Sequence, residues 1–185
     1  MNGKRDSAFR AVFRLDRDTS GIVLTAKNEL AAAKLAGKIK KDYYAVVCGE
    51  IAGKGTIDAP IRRLGDSIIK RGVFEDGDSA ITHYESIKTN GKYTLLKINL
   101  ETGRTHQIRV QFAHAGWALL GDTKYGNTTV AGTAGSPAYR GVALCAYSLD
   151  FTHPGNGKKM SFRVKPQNPA FEKFTKIPSE DIFEG

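Results

Sequence analysis

The stretch YTLLKINLETGRTHQIRVQFAHAG, Tyr93 to Gly116, changes its apolar period midway. Leu96, Ile98 and Leu100 alternate with Lys97 and Asn99, the two-residue repeat of a strand with one buried face. Past the turn at Thr102-Gly103, Ile108, Phe112 and Ala115 fall at i, i+4 and i+7, which is a helical stripe. Thr105 is the expected cap of that helix and Gly116 its stop. A chain that passes straight from strand to helix here must fold one onto the other, so the rest is read around that unit.

Upstream, Ile22–Leu24 predicts a short buried strand. Asn28 is placed to cap a helix over ELAAAKLAGKIK, with Glu29 in its first turn and Ala31, Leu35 and Ile39 as its stripe. YYAVVCGEI predicts a strand that ends near Gly49. Residues 53–80 are rich in Gly-Asp turns, with short strands expected around Ile57 and Ile68, as an exposed hairpin. Residues 126–141 predict a loop, Val142–Phe151 a strand, His153–Gly157 a turn and Met160–Val164 a last strand. Strands outnumber helices and do not alternate with them. The expected fold is α+β, a mixed, mainly antiparallel central sheet with flanking helices, in one domain spanning residues 1–185.

Lys and Arg number 28 against 19 Asp and Glu, a net charge of +9, which favours a polyanionic partner and equally serves solubility. Cys48 and Cys145 form no metal spacing, so they read as free thiols of a reducing cytosol, and no apolar run is long enough to span a membrane. The expectation is a cytoplasmic monomer without membrane attachment, metal or obligate protein partner.

Two stretches are dense in chemistry. In RLDRDTSG, Asp16 sits between Arg14 and Arg17; it is either an ion-paired turn residue or a nucleophile or base. In TGRTHQIR, Arg104 falls in the turn and Arg109 in the first turns of the helix, where it could grip a carboxylate bidentately. His106 invites a catalytic role, although a lone helical His is more often a packing or surface residue. Ser20 with His106 lacks the context of a nucleophile elbow.

RLDRDTSG resembles the HRLDxxTSG signature of the RluA-type pseudouridine synthases. In the same order along the chain, KDYYAVVCG resembles their KxYxAxVxG strand, IDAPI their IDxPI turn and AITHY their AxTxY strand. LETGRTHQIRVQFAHAGWALLGDTKYG is similar to their longest motif and LCAYSLDFTHP to their last, so the resemblance covers residues 12–166. It implies isomerisation of uridine in structured RNA, rRNA or tRNA, without a cofactor. It implies that Asp16 is the catalytic Asp, that Tyr43 lies under the target base, and that Arg109 pairs with the Asp. Arg14 would fill the gap left by the flipped nucleotide, and Ile108 and Arg104 would contact substrate. Lys38, Lys40, Lys41, Arg62 and Arg63 would hold phosphates or form a solvated face.

The sequence departs from the family pattern in places. Phe13 and Cys145 stand where the family has His, and a contact between the two is expected from their joint change. Little of the chain precedes RLD, without the usual strand, NKPxG-type motif or S4 domain. The expectation is a short member or a truncated reading frame whose cut sheet exposes an edge strand. Two rival readings are an RNA-binding or RNA-folding module with a decayed site, and a nucleoside or glycoside hydrolase with Asp18 or Glu101 as second acid.

Overall fold

A computed structural model describes residues 9–65, 67, 69–126 and 141–174. In chain order the elements are β1 (Arg10–Ala11), β2 (Ser20–Gly21), β3 (Thr25–Ala26), α1 (Glu29–Leu35), β4 (Lys40–Cys48), β5 (Lys54–Asp58), β6 (Ile61–Arg63) and β7 (Arg71–Val73). They continue with β8 (Ile81–Thr89), β9 (Tyr93–Leu100), α2 (Gln107–His114), β10 (Leu144–Thr152), β11 (Lys159–Arg163) and a 3-10 turn at Pro169–Lys173. The main sheet runs β11-β10-β4-β9-β8-β5, with neighbours antiparallel, and β2 adds a parallel pairing to β10. This is the α+β, mainly antiparallel arrangement expected from the pattern.

β4 is central, and its residues Asp42–Val47 are all buried. Successive side chains of a strand face opposite ways, so both faces of the sheet are covered. Tyr43, Ala45 and Val47 pack with Leu96, Ile98, Ile108 and Phe112, the last two brought by α2. Tyr44 and Val46 pack on the other face with Leu95, Cys145, Tyr147 and the Phe171 and Phe174 of the C-terminal 3-10 turn.

α2 is held to the sheet by more than its apolar stripe. The Gln111 amide donates to the Ala59 and Ala80 carbonyls at 3.0 and 2.7 Å and accepts from the Thr82 hydroxyl. Gln107 donates to the Ile81 carbonyl at 3.1 Å and accepts from the Arg104 N–H at 2.9 Å. Buried amides satisfied in this way fix one position of the helix against β8, because any slide would leave them unpaired.

Several local expectations are corrected. Thr105 does not cap α2; His106 does, with φ 59°, the one non-glycine left-handed residue among those described. α1 ends at Leu35 rather than Lys40, because Gly37 takes φ 71° and the chain then enters β4; the Asn28 cap and Glu29 are as expected. Ile22–Leu24 form no strand, since the pairing is made by the residues on either side and Val23 is exposed. The strand expected around Ile57 is β5, but it pairs with β8 in the main sheet; the hairpin in this stretch is made instead by β6 and β7. The strand expected at Ile68 and most of the loop expected over 126–141 lie outside the described residues.

Phe13 and Cys145 do not touch. The Lys41 ammonium lies over the Phe13 ring, 4.1 Å from its centre, and Lys41 shares the β4 face of Tyr43. Cys145 belongs to the opposite face, with Tyr44 and Tyr147. The sheet separates them, so the two departures from the family pattern are independent.

Candidate active site

The RLDRDTSG stretch resolves into a turn and an anchor. The Thr19 N–H donates to the Asp16 carbonyl at 2.9 Å, which closes the turn. Ser20 and Gly21 then pair with Cys145 and Ala146 of β10, the Ser20 hydroxyl donates to the Leu144 carbonyl at 3.1 Å, and the Ile22 N–H to the Ala146 carbonyl at 3.0 Å. Asp18 pairs outward with the exposed Arg17 at 3.1 Å. Asp16 instead faces His106 and the buried Arg109, which distinguishes the two carboxylates.

Gly21 makes the anchor possible. Its φ is 122°, and a Cβ there would sit 2.3 Å from the Ala146 carbonyl oxygen. Gly21→Ala is expected to cost about 2–3 kcal/mol through backbone strain and to detach the turn from β10. Hydrogen exchange checks this: the Ile22 amide should lose its protection, and unchanged protection would reject the anchor.

Asp16 is met by groups from distant parts of the chain. Arg109 Nη1 lies 4.0 Å from Oδ2 and His106 Nε2 lies 3.9 Å from Oδ1. Both distances exceed hydrogen-bond length, so the carboxylate lone pairs remain open to a reacting atom. Burial, then the Asp16 charge, pushes the Tyr43 phenol up to about 12, which places Tyr43 in the field of the same carboxylate. Ile108 is buried in the cluster that contains Tyr43.

Arg109 grips a carboxylate bidentately, as its sequence position suggested, but the partner is Asp122. Nε and Nη2 donate to Asp122 at 2.7 and 2.8 Å, and both side chains are almost wholly buried. Burial alone would raise the Asp122 pKa; the hydrogen bonds and charge of Arg109, with the N–H groups of Tyr125 and Lys124, overturn that and hold it below the ordinary carboxylate range. Asp122 was missed because GDTKYG reads as a polar turn, and only its separation of 13 residues from Arg109 across Gly116 hinted at a return to the helix.

The remaining expected residues are more dispersed. Arg14 is exposed and, among the described residues, in no ion pair. The Arg104 Nε donates to the Ser79 carbonyl at 2.9 Å, and Arg104 lines a cleft of about 330 Å³ with Arg62, Arg63, Arg71 and Asp78. Glu101 meets His83 rather than Asp16. Among the described residues, no group of three His, Cys, Asp or Glu is placed to hold a metal, and no helix is long and apolar enough to cross a membrane.

Known proteins share this chain's sequence pattern and fold. The profile of the RNA pseudouridylate synthase family matches residues 1–114. YjbO of Bacillus subtilis, an uncharacterized RNA pseudouridine synthase, is 45% identical over 159 residues, 83% of this chain and 54% of that protein. Ribosomal large subunit pseudouridine synthase D of Zymomonas mobilis is 39% identical over 167 residues, 85% of this chain and 53% of its own length. The chain thus spans about half the length of these curated relatives. Among solved structures, human RNA pseudouridylate synthase domain containing 1 shares the fold, with a TM-score of 0.74 at 23% identity over 90% of this chain and 73% of that one. Two independent matches over most of the sequence, together with the fold, make this chain a member of the RNA pseudouridylate synthase family, of the RluA type.

Proposed function

We propose that this protein isomerises uridine in RNA to pseudouridine, with Asp16 as the catalytic carboxylate. The observation that carries the reading is the convergence of Asp16, Tyr43, His106 and Arg109 from three separate stretches of sequence around one accessible carboxylate. The reaction breaks the C1′–N1 bond, turns the uracil and joins C1′ to C5, and the C5 proton is finally exchanged for one on N1. No atom is gained or lost, so no co-reactant is required. Attack at C1′, addition at C6 and removal of a sugar proton all use the same carboxylate.

Tyr43 is a phenol at the start of this sequence, since a pKa of about 12 makes its deprotonation at neutral pH cost ~7 kcal/mol. The Asp16 charge is one cause of that elevation. Once Asp16 is consumed in a covalent bond its charge is gone, and Tyr43 becomes a stronger acid, able to give its proton toward N1 and then, as the phenolate, to take the one from C5. Proton transfer at C5 through Tyr43 therefore follows, rather than precedes, the step that uses Asp16.

The base must leave its stack to reach this carboxylate. The Arg62, Arg63, Arg71 and Arg104 cleft is suited to the phosphates beside it, and Arg14, exposed next to Asp16, to the vacated position. The relatives named for the ribosomal large subunit favour an rRNA substrate. RNA affinity is expected to fall steeply with salt, and Arg63→Ala to reduce the slope of log K against log salt by roughly 0.7–0.9 for a lost phosphate contact. An unchanged slope would remove Arg63 from the interface.

The function is tested by incubating the protein with unmodified total RNA and mapping pseudouridine by primer extension after carbodiimide treatment. New stops at defined uridines are expected. No stops would leave an RNA-binding module, and release of free uracil would point to a hydrolase.

A further inference from the structure

We infer that His106 is a positioning residue for Asp16, held by Tyr125 as the tautomer whose proton is on Nε2. The inference rests on the reading of Asp16 as the reacting carboxylate.

Tyr125 Oη makes two contacts. It accepts a hydrogen bond from the Arg71 backbone N–H at 3.1 Å and lies 2.6 Å from His106 Nδ1. The Arg71 amide can only donate. A phenol oxygen carries one proton and two lone pairs; one lone pair takes the Arg71 N–H, and the arrangement that also uses the phenol proton within the protein sends it to Nδ1. In that arrangement Nδ1 is the bare nitrogen and the ring proton falls on Nε2. That nitrogen is the one that faces Asp16 Oδ1, at 3.9 Å.

Two further observations fit. Burial of the Tyr125 phenol raises its pKa, so it keeps the proton it is asked to donate. Burial first, and then Arg109 and Lys124, lower the His106 pKa against the opposing pull of Asp16 and Asp122, so the neutral ring, for which a tautomer is defined, is the species present at neutral pH. The left-handed backbone of His106, φ 59°, has a cost for a non-glycine residue and directs its ring between Tyr125 and Asp16.

The consequence is a division of the carboxylate. Oδ2 faces the Arg109 cation and Oδ1 faces a neutral N–H donor. At 4.0 and 3.9 Å neither contact is yet a hydrogen bond, and shortening of both on RNA binding would fix the carboxyl plane without neutralising it. The chain of contacts also starts at Arg71 on β7, so the hairpin bearing the basic cleft is joined to the reacting group.

The experiment has two arms. In the protein without RNA, nitrogen-15 long-range correlation spectra of the histidine rings read the tautomer directly. The wild type is expected to show His106 protonated at Nε2 and bare at Nδ1, and Tyr125→Phe to show a mixture. A wild-type ring protonated at Nδ1 overturns the inference whether or not the protein modifies RNA. In the second arm, single-turnover rates and RNA dissociation constants are measured on a modified substrate. Tyr125→Phe keeps the ring beside Arg109, and His106→Asn keeps a residue type that tolerates the left-handed backbone. Each is expected to lower the rate constant roughly 10- to 100-fold while RNA affinity stays within about twofold, the signature of a misplaced reacting group. Unchanged rates in both variants, with a wild type that is active, overturn the positioning role. A wild type that modifies no uridine rejects the proposed function instead, and the spectra still decide the tautomer.

Discussion

Asp16→Asn is expected to leave the fold intact and to abolish isomerisation. The turn that presents residue 16 is closed by its backbone carbonyl, which the substitution does not touch. Its side chain is about a quarter exposed, and the His106 and Arg109 nitrogens that face it stand at 3.9 and 4.0 Å, so no hydrogen bond to either is lost. A stability change under about 1 kcal/mol follows. The chemistry has no such margin. An amide is nearly the same shape but is a poor nucleophile and no base, and the loss should be on the order of 10⁴-fold or more, the scale seen when a nucleophile or its base is removed. Single-turnover measurement on a mapped RNA substrate checks this, with Asp18→Asn as the control. Asp18 is paired outward with an exposed arginine, so its change should be mild. Turnover of Asp16→Asn near the wild-type rate would reject the mechanism.

The same variant reports on Tyr43 without any RNA. The Asp16 charge helps to hold the phenol near 12, after burial, and its removal must lower that value. A spectrophotometric titration of Asp16→Asn against wild type should show one tyrosine titrating at lower pH. If none moves, the carboxylate and the phenol are not coupled, and the ordering of their two steps has no basis.

Much of this site was legible along the sequence, and the exceptions share a cause. Periodicity found the strand over Tyr93–Leu100 and the helix after it, because Leu96, Ile98, Ile108 and Phe112 face a common core. It did not find that Gln107, Arg109 and Gln111 on the same helix are buried too, since a polar residue becomes burial-competent only through partners supplied from elsewhere. Thr105 is a better intrinsic cap than His106, yet the cap position falls on His106, whose side chain makes no cap hydrogen bond and instead meets Tyr125, distant in sequence. The Arg109 fork and its pairing with Asp16 were foreseen, the latter found at 4.0 Å, but the partner that the fork hydrogen-bonds, Asp122, was not. Local propensity identifies elements, and these misses are all side chains whose positions depend on long-range pairing.

Asp122→Asn is expected to cost about 3–5 kcal/mol, because it leaves the Arg109 cation buried with only a neutral amide to meet it. Against a typical total of ~5–15 kcal/mol this is severe. Urea unfolding at neutral pH checks it, with a midpoint lowered by roughly 1–3 M and an unchanged slope. The pH dependence has a definite sign. The folded-state pKa of Asp122 lies below its unfolded value, so its contribution is fully present above the ordinary carboxylate range. The gap between wild type and variant should therefore stay constant from neutral pH down to about 4 and narrow only below that. A gap that already closes near pH 6 would assign the effect to another group. Replacing both partners separates structure from chemistry. In Arg109→Met with Asp122→Leu no charge is left unpaired, and most of the lost stability should return. Isomerisation should not return with it, since the cation facing Asp16 Oδ2 has gone as well. Recovery of both stability and rate would mean that Arg109 serves only to hold α2 to the turn at Asp122, and that Asp16 acts without it.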